Sequence, residues 1–213
     1  MRELALNILD ITENSVKAGA TLVEIDIIAL GNVLTIKIKD NGCGMDNEFL
    51  DKVTDPFTTT RTTRKVGMGV PLFKMAAEMA GGTFSINSTK GVGTEVVATF
   101  EINNIDREPL GNIADTMVTL LSDEFATEYV LTVSVEGNQF NLDTRELKEQ
   151  LNGISICEPQ VLAFVREMIN ENIKEIGGAN LWRVSLISWK SEIRCSLKSS
   201  CVTTQMTIKR LVS

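Results

Sequence analysis

The heptapeptide DNGCGMD, Asp40 to Asp46, follows a run of alternating apolar residues and decides how the chain is interpreted. Asn-Gly is the commonest signal of a β-hairpin, because both residues tolerate a positive φ. A calcium loop of the EF-hand type is excluded, because such a loop needs oxygen ligands at alternate positions and a Glu at its twelfth residue. Glycines stand here at the third and fifth positions and Asp51 at the twelfth. The stretch is therefore either an ordinary turn between strands or the wall of a nucleotide pocket.

The residues on both sides of this stretch predict an α+β fold. Apolar residues at helical spacing predict a helix over 2–18, and two alternating runs joined by Gly31-Asn32 predict an antiparallel hairpin with one buried face. The predicted order is helix 2–18, strands 22–30 and 33–39, a short helix over 47–53, a loop TTTRTTRK over 58–65, a helix from VGMGVPL to Gly81-Gly82, and strands 83–87 and 95–102. This order places helices on one face of a mixed, mostly antiparallel sheet, which is a two-layer sandwich.

Beyond residue 103 the pattern changes. A hairpin over 128–141 is predicted to turn at Glu136-Gly137-Asn138, with helices over 109–121, 144–151 and 159–176. We therefore predict a first domain over 1–103, a small accessory α+β unit over 104–178 and a basic irregular tail over 179–213. The Ser-, Thr- and Cys-rich composition of the tail differs enough from the rest to suggest a foreign or altered C-terminus.

Composition and charge exclude several classes of function. The chain has 213 residues and no His, so imidazole ligands, Ser-His-Asp catalysis and an internal phosphohistidine are excluded. Four cysteines without a CxxC pair argue against structural zinc and disulfides. No apolar run reaches the roughly 18 residues of a membrane span and no secretory signal is present, so we expect a cytoplasmic location and no membrane partner. The net charge is −7, of which Leu181 to Ser213 carry +5 and residues 1–180 carry −12, which argues against nucleic-acid binding.

Polar residues at two places in the chain are candidates for ligand binding. Asp10 and Asn14 lie one helical turn apart and could together hold a hydrated Mg²⁺ and a water, although a solvated helix face explains either residue alone. Asp40 at a strand end could accept a hydrogen bond from the exocyclic amine of adenine, while Gly42 and Gly44 let the backbone approach the ring.

Two glycine motifs are weaker signals. GMGVPL, Gly67 to Leu72, lacks the remaining residues of a P-loop or a dinucleotide fingerprint, but it leads into a helix N-terminus that suits an anion. GVGT, Gly91 to Thr94, is by itself only a tight turn.

Taken together and in this order, the motifs resemble one superfamily. ILDITEN, DNGCGM, PFTTTR with VGMGVPL, and AGGTFSINSTKGVGTEVVATF are similar to the conserved motifs of the GHKL superfamily of ATP-binding domains. That superfamily includes histidine kinases, anti-sigma-factor kinases, type II topoisomerases, mismatch-repair ATPases and heat-shock chaperones. The resemblance covers residues 3–102, is closest to the kinases, and implies a Bergerat-type fold that binds ATP and Mg²⁺.

The resemblance also implies roles for individual residues. Asn14 matches the residue that coordinates Mg²⁺, Asp40 the carboxylate that reads adenine, and Thr94 the residue that completes its water network. The implied binding residues are, in full, Asn14, Asp40, Gly42, Gly44, Thr58, Arg61, Lys65, Gly67, Met68, Gly69, Val70 and Thr94. The loop over 58–65 matches the lid that covers the nucleotide in this superfamily, and Arg64 is a further cation of this lid. Asp10 stands where hydrolytic members carry a catalytic Glu, and because Asp is one methylene shorter we expect slow or negligible hydrolysis.

Two functions follow from this resemblance. The first is an ATP-binding regulatory protein that transfers phosphate to a Ser, Thr or His of a separate protein. The second is a non-catalytic ATP sensor that contacts a partner through its C-terminal unit. A homodimer is left open, and a topoisomerase or mismatch-repair role is disfavoured because about 110 residues scarcely provide a transducer domain.

Overall fold

The computed structural model of the chain describes residues 3–46, 48, 50, 53, 69–122 and 127–177. The predicted loop over 58–65 and the tail lie outside these residues, as does most of the predicted helix over 47–53. The other predicted elements agree with the observed ones to within four residues at each end. The described elements are α1 (Leu4–Lys17), β1 (Leu22–Leu30), β2 (Val33–Asp40), α2 (Gly69–Met79), β3 (Phe84–Thr89), β4 (Gly93–Glu101), α3 (Ile113–Ser122), β5 (Glu128–Val135), β6 (Asn138–Asp143), α4 (Thr144–Gln150) and α5 (Pro159–Glu175).

One sheet of six strands forms the first layer, in the order β3-β4-β2-β1-β5-β6. Four neighbouring pairs are antiparallel and β1 with β5 is parallel. Every second residue of the central strands is buried, so Ile25 has Ile38 on one side and Leu131 on the other within one apolar face. Helices α1, α2, α3 and α5 form the second layer, in which α1 contacts α2 and α3, and α3 contacts α5. The predicted two-layer α+β sandwich is confirmed.

The hairpin of β5 and β6 shows why local sequence predicts local pairing. Glu136 and Gly137 both have positive φ, at 49° and 86°, which is the backbone of a type I′ turn. The Glu136 side chain accepts a hydrogen bond from the Gly31 amide at 2.9 Å and so joins this turn to the turn between β1 and β2. The turns of the two hairpins therefore lie next to each other at the same end of the sheet.

The predicted accessory unit shares its sheet and its core with the residues before it. β5 pairs with β1 along eight residues, from Leu22 with Glu128 to Ala29 with Val135, after a crossover that contains α3. A single cluster of buried apolar residues runs from Leu4 in α1 to Ile173 in α5. The division into a first domain and a separate accessory unit stays a prediction. No helix in the described part of the chain is long and apolar enough to cross a membrane.

Candidate functional site

Asp40 is the last residue of β2, and its carboxylate is held from three directions. Oδ1 accepts hydrogen bonds from the Gly42 amide at 2.8 Å and from the Thr94 amide at 3.3 Å. Oδ2 accepts a hydrogen bond from the Ser15 hydroxyl at 2.7 Å. Because Asp40 and Thr94 are register partners in β2 and β4, the sheet itself brings together two residues that stand 54 positions apart in the chain.

The loop after Asp40 is tied to the turn between α1 and β1. The Asn41 side chain accepts hydrogen bonds from the amides of Thr21 at 2.9 Å and Leu22 at 3.0 Å, and its amide nitrogen donates to the Thr21 hydroxyl. The Cys43 amide donates to the Ala18 carbonyl at 3.0 Å. The Asn41 side chain thus caps the start of β1 by accepting hydrogen bonds from the backbone amides there. The Asn-Gly pattern alone does not reveal this role.

The same loop is tied on its other side to the turn between β3 and β4. The Ser88 hydroxyl lies 2.8 Å from the Met45 amide, 3.0 Å from the Gly93 carbonyl and 2.9 Å from the Thr94 hydroxyl. The Cys43 carbonyl accepts a further hydrogen bond from the Gly91 amide at 2.7 Å. The loop is therefore fixed before any ligand arrives, which is the condition for a binding site that loses little entropy on binding.

Close approaches of the backbone account for the glycines of this loop. A Cβ at Gly44, where φ is 61°, would lie 2.1 Å from the Thr89 carbonyl oxygen. A Cβ at Gly93 would lie 2.0 Å from the Asp40 carbonyl oxygen, and one at Gly42 would lie 3.0 Å from Asp40 Oδ1. Protein packing alone thus requires glycine at positions 44 and 93 and makes position 42 tight. The room that Gly42 and Gly44 were expected to leave for an adenine ring stays a prediction.

Asp10 lies against the first turn of α2. A Cβ at Gly69, the first residue of α2, would lie 2.9 Å from the Asp10 Cβ and 3.3 Å from its Oδ2. Desolvation raises the pKa of the Asp10 carboxyl above its ordinary value of 3.8, the charge of Glu13 adds to the rise, and Lys17 opposes it. A raised pKa makes a carboxylate a better proton acceptor, so the geometry gives Asp10 the direction of change that a general base needs.

The remaining predicted residues fall into two groups. Asn14 is half-buried one turn after Asp10 on α1, and Val70 is buried in the first turn of α2. Thr58, Arg61, Arg64, Lys65, Gly67 and Met68 lie outside the described residues. Among the described residues no cluster of three Cys, Asp or Glu side chains has the geometry of a metal site. A magnesium ion would thus need ligand oxygens as well as Asn14, which matches the habit of Mg²⁺ to bind through one or two side chains and substrate phosphates.

An open cavity of about 600 Å³ lies at this end of the sheet. Its lining includes Asp40, Gly93 and Thr94, together with charged residues from the solvent face of the sheet, among them Lys39 and Glu95. Asn14 and Gly69 do not line it. The cavity therefore adjoins the candidate site at Asp40 but does not extend over α1 and α2.

Sequence reasoning missed four residues of this site: Ser15, Asn41, Ser88 and Gly93. Ser15 stands beside Asn14 in ENSV and reads as a neutral polar residue, although its hydroxyl reaches a carboxylate 25 positions away. Gly93 lies within the GVGT motif, whose second glycine was the available signal.

Comparisons with known proteins find a family for the first part of the chain. Residues 1–104 match the model of the family described as histidine kinase-, DNA gyrase B-, and HSP90-like ATPase. The autoinducer 2 sensor kinase/phosphatase LuxQ of Vibrio parahaemolyticus is 31% identical over 115 residues, which cover 52% of this chain and 13% of LuxQ. Sporulation kinase D of Bacillus subtilis is 32% identical over 103 residues, or 48% of this chain and 20% of the kinase.

Among solved structures, the N-terminal domain of a DNA repair protein has a TM-score of 0.47 and 13% identity, covering 66% of this chain and 52% of that chain. The chain spans about an eighth to a fifth of the length of the two kinases.

Proposed function

Residues 1–104 are an ATP-binding domain of the histidine kinase-, DNA gyrase B- and HSP90-like ATPase family, and we propose that the chain binds Mg-ATP at Asp40 and Asn14 and transfers phosphate to a separate protein. The relatives LuxQ and sporulation kinase D are named as kinases, which favours a kinase over other members of the family. The acceptor in this proposal is a Ser, Thr or His of another protein, and because these 213 residues contain no His, a His acceptor has to lie outside them.

One observation carries the proposal: α1 contacts both ends of the candidate site. Ser15 near its C-terminal end touches Asp40, and Asp10 lies against Gly69 at the start of α2. The two contacts are five positions apart, which is about 7.5 Å along the helix axis and about 140° around it. Helix α1 therefore contacts both Asp40 and the first turn of α2, which in this proposal meet the base and the phosphates of one nucleotide.

The described residues suit a purine nucleotide with an amine at position 6. The carboxylate of Asp40 accepts from an amine and repels a carbonyl oxygen, so it selects adenine over guanine. Asn14 supplies an oxygen toward the metal, and the amides at the start of α2 face the phosphates. Bound Mg-ATP supplies the transferable phosphoryl group, and the lid residues Thr58 to Gly67 are proposed to close over it.

Binding is tested by calorimetry with Mg-ATP and Mg-GTP. We expect ATP to bind and to raise the melting temperature while GTP does neither, because only a ligand of the native state stabilises it. Asp40→Asn keeps the shape of the side chain but removes the charge, so it should weaken ATP binding by about tenfold or more. The matched control is Asp26→Asn on β1, a carboxylate for which no contact with Asp40 is found and which should leave ATP binding unchanged. Unchanged affinity in Asp40→Asn would refute the site.

A non-catalytic ATP sensor is the second candidate, and the identity of residue 10 favours it. Asp10 is one methylene shorter than Glu, so its carboxylate stands farther from a water at the phosphate. If reach limits turnover, Asp10→Glu should release phosphate from ATP faster than the wild type, and Asp10→Asn should release none. Incubation with γ-labelled ATP and cell extract then separates the two functions. A labelled protein supports the kinase, and ATP binding without any labelled protein supports the sensor.

A further inference from the structure

The hydrogen bonds of Asp40 leave one acceptor position unused. A carboxylate has about four lone-pair positions. The Gly42 and Thr94 amides occupy both positions on Oδ1, and the Ser15 hydroxyl occupies one on Oδ2. No other donor of the described residues reaches Asp40, so among these residues the second position on Oδ2 is left open to a ligand.

Ser15 decides in which direction that position points. Its hydroxyl lies 2.7 Å from Asp40 Oδ2 and 3.3 Å from the Ile11 carbonyl oxygen, and it has one hydrogen to give. The shorter distance is the usual one for O–H···O, so the hydrogen goes to Asp40. Ser15 is 4% exposed, so its hydroxyl is largely shielded from solvent.

We propose that Ser15 is the positioning residue that holds Oδ2 of Asp40 toward the base, and that it thereby sets the preference for a purine with an amine at position 6. This inference rests on the proposed function, because it assigns a determinant of specificity to the same site. Without Ser15 the carboxylate keeps its two contacts on Oδ1 but gains freedom to rotate about them. Oδ2 then meets an amine less often, while the general affinity for the phosphates stays.

The same arrangement predicts what an amide does at position 40. In Asp40→Asn the side-chain nitrogen replaces Oδ2 and donates to Ser15 Oγ, which turns its own hydrogen toward the Ile11 carbonyl. The side-chain oxygen still accepts from the Gly42 and Thr94 amides. The network therefore reverses its direction without losing a hydrogen bond, and the second hydrogen of the amide points to the ligand. A site that accepted from an amine becomes a site that donates to a carbonyl.

Affinities for Mg-ATP and Mg-inosine triphosphate test the proposal, because inosine triphosphate carries a carbonyl in place of the amine at position 6. The wild type should bind ATP at least about tenfold more tightly, as expected for a hydrogen bond to a charged group. Ser15→Ala should reduce the ratio of the two affinities severalfold, and Ser15→Thr, which keeps the hydroxyl, should retain the ratio within about twofold. Asp40→Asn should lower the ratio below that of Ser15→Ala and raise the affinity for inosine triphosphate.

Thr116→Val is the matched control, because it removes another buried helical hydroxyl, one that bonds a backbone carbonyl far from Asp40. It should change stability without changing the ratio. If a variant at position 15 does not fold, as judged by the melting curve without nucleotide, Ser15→Cys is measured instead. It should behave as Ser15→Ala does, because a thiol is a weak donor.

The outcomes separate this inference from the proposed function. If the wild type binds ATP and Ser15→Ala retains the wild-type ratio, the proposal for Ser15 is refuted and ATP binding stands. A wild type that binds the two nucleotides equally refutes it too. A wild type that binds neither overturns the proposed function and this inference together.

Discussion

Thr12 gives the sharpest prediction about stability. This residue of α1 is fully buried, and its hydroxyl has no hydrogen-bond partner within the described part of the chain. A buried hydroxyl without a partner costs about 1 to 3 kcal/mol of desolvation. Thr12→Val replaces the hydroxyl by a methyl group of similar size, and Thr and Val have similar helix propensities. We therefore expect the free energy of unfolding to rise by about 1 to 2 kcal/mol, which is about 2 to 4 °C in melting temperature for each kcal/mol.

The same substitution at a satisfied threonine should have the opposite sign. Thr116 is 5% exposed, and its hydroxyl lies 3.3 Å from the Asn112 carbonyl oxygen and 3.4 Å from that of Ala5. Thr116→Val removes the hydroxyl that donates to these carbonyl oxygens, so it should lower the free energy of unfolding by about 0.5 to 1.5 kcal/mol. Urea denaturation followed by circular dichroism measures both variants, and equal slopes against urea show that neither changes the unfolded state. A loss of 1 kcal/mol or more in Thr12→Val would refute the reasoning, because it would show that the hydroxyl has a partner, such as a bound water.

Three further predictions concern the candidate site. Gly93→Ala should lower the free energy of unfolding in urea by at least about 2 kcal/mol, because its Cβ would meet the Asp40 carbonyl oxygen at 2.0 Å. Gly91→Ala has open space around its Cβ, so it should cost about 1 to 2 kcal/mol, the cost of a left-handed backbone alone. Equal costs would contradict the close approach. Asp10→Asn should raise the free energy of unfolding at pH 7, because the raised pKa of Asp10 in the folded state shows that folding penalises its charged form. This gain in stability should shrink as the pH falls through that pKa and vanish below the ordinary value of 3.8. A gain that does not depend on pH would contradict the prediction. ATP should slow the modification of exposed Cys43 by a thiol reagent, and equal rates with and without ATP would argue against a nucleotide beside it.

Local sequence patterns predicted the pairing of strands that follow one another in the chain, but they did not predict the pairing of strands that are far apart in it. Alternation in Ile25 and Ile38 and the Gly31 turn were enough to predict the first hairpin, because turn length and period fix the register. The parallel pairing of β1 with β5 was not predicted. Alternation has the same period whether a strand has one neighbour or two, and nothing near Val23 indicates that its partner is Tyr129.

The candidate site shows the same division. Asp40 and Thr94 were found because each belongs to a short motif, and the register of β2 with β4 brings them together. Ser15 and Ser88 were missed, because serine is common on any surface and its role here depends on a hydroxyl that meets another part of the chain. Gly44 was noticed as a glycine, but the reason for it, a close approach to the Thr89 carbonyl, exists only in three dimensions.

The place of β1 between β2 and β5 has a consequence for synthesis on the ribosome. Strands β2, β4 and β3 can assemble in that order on one edge of β1 as soon as residue 101 has emerged, but the other edge of β1 stays open until Glu128 to Val135 follow. Ala29 and its partner Val135 are 106 positions apart, which at about 5 to 20 residues per second is roughly 5 to 20 s of translation. During that interval the nascent chain presents an apolar strand with one unpaired edge. A chaperone would be most useful in this window.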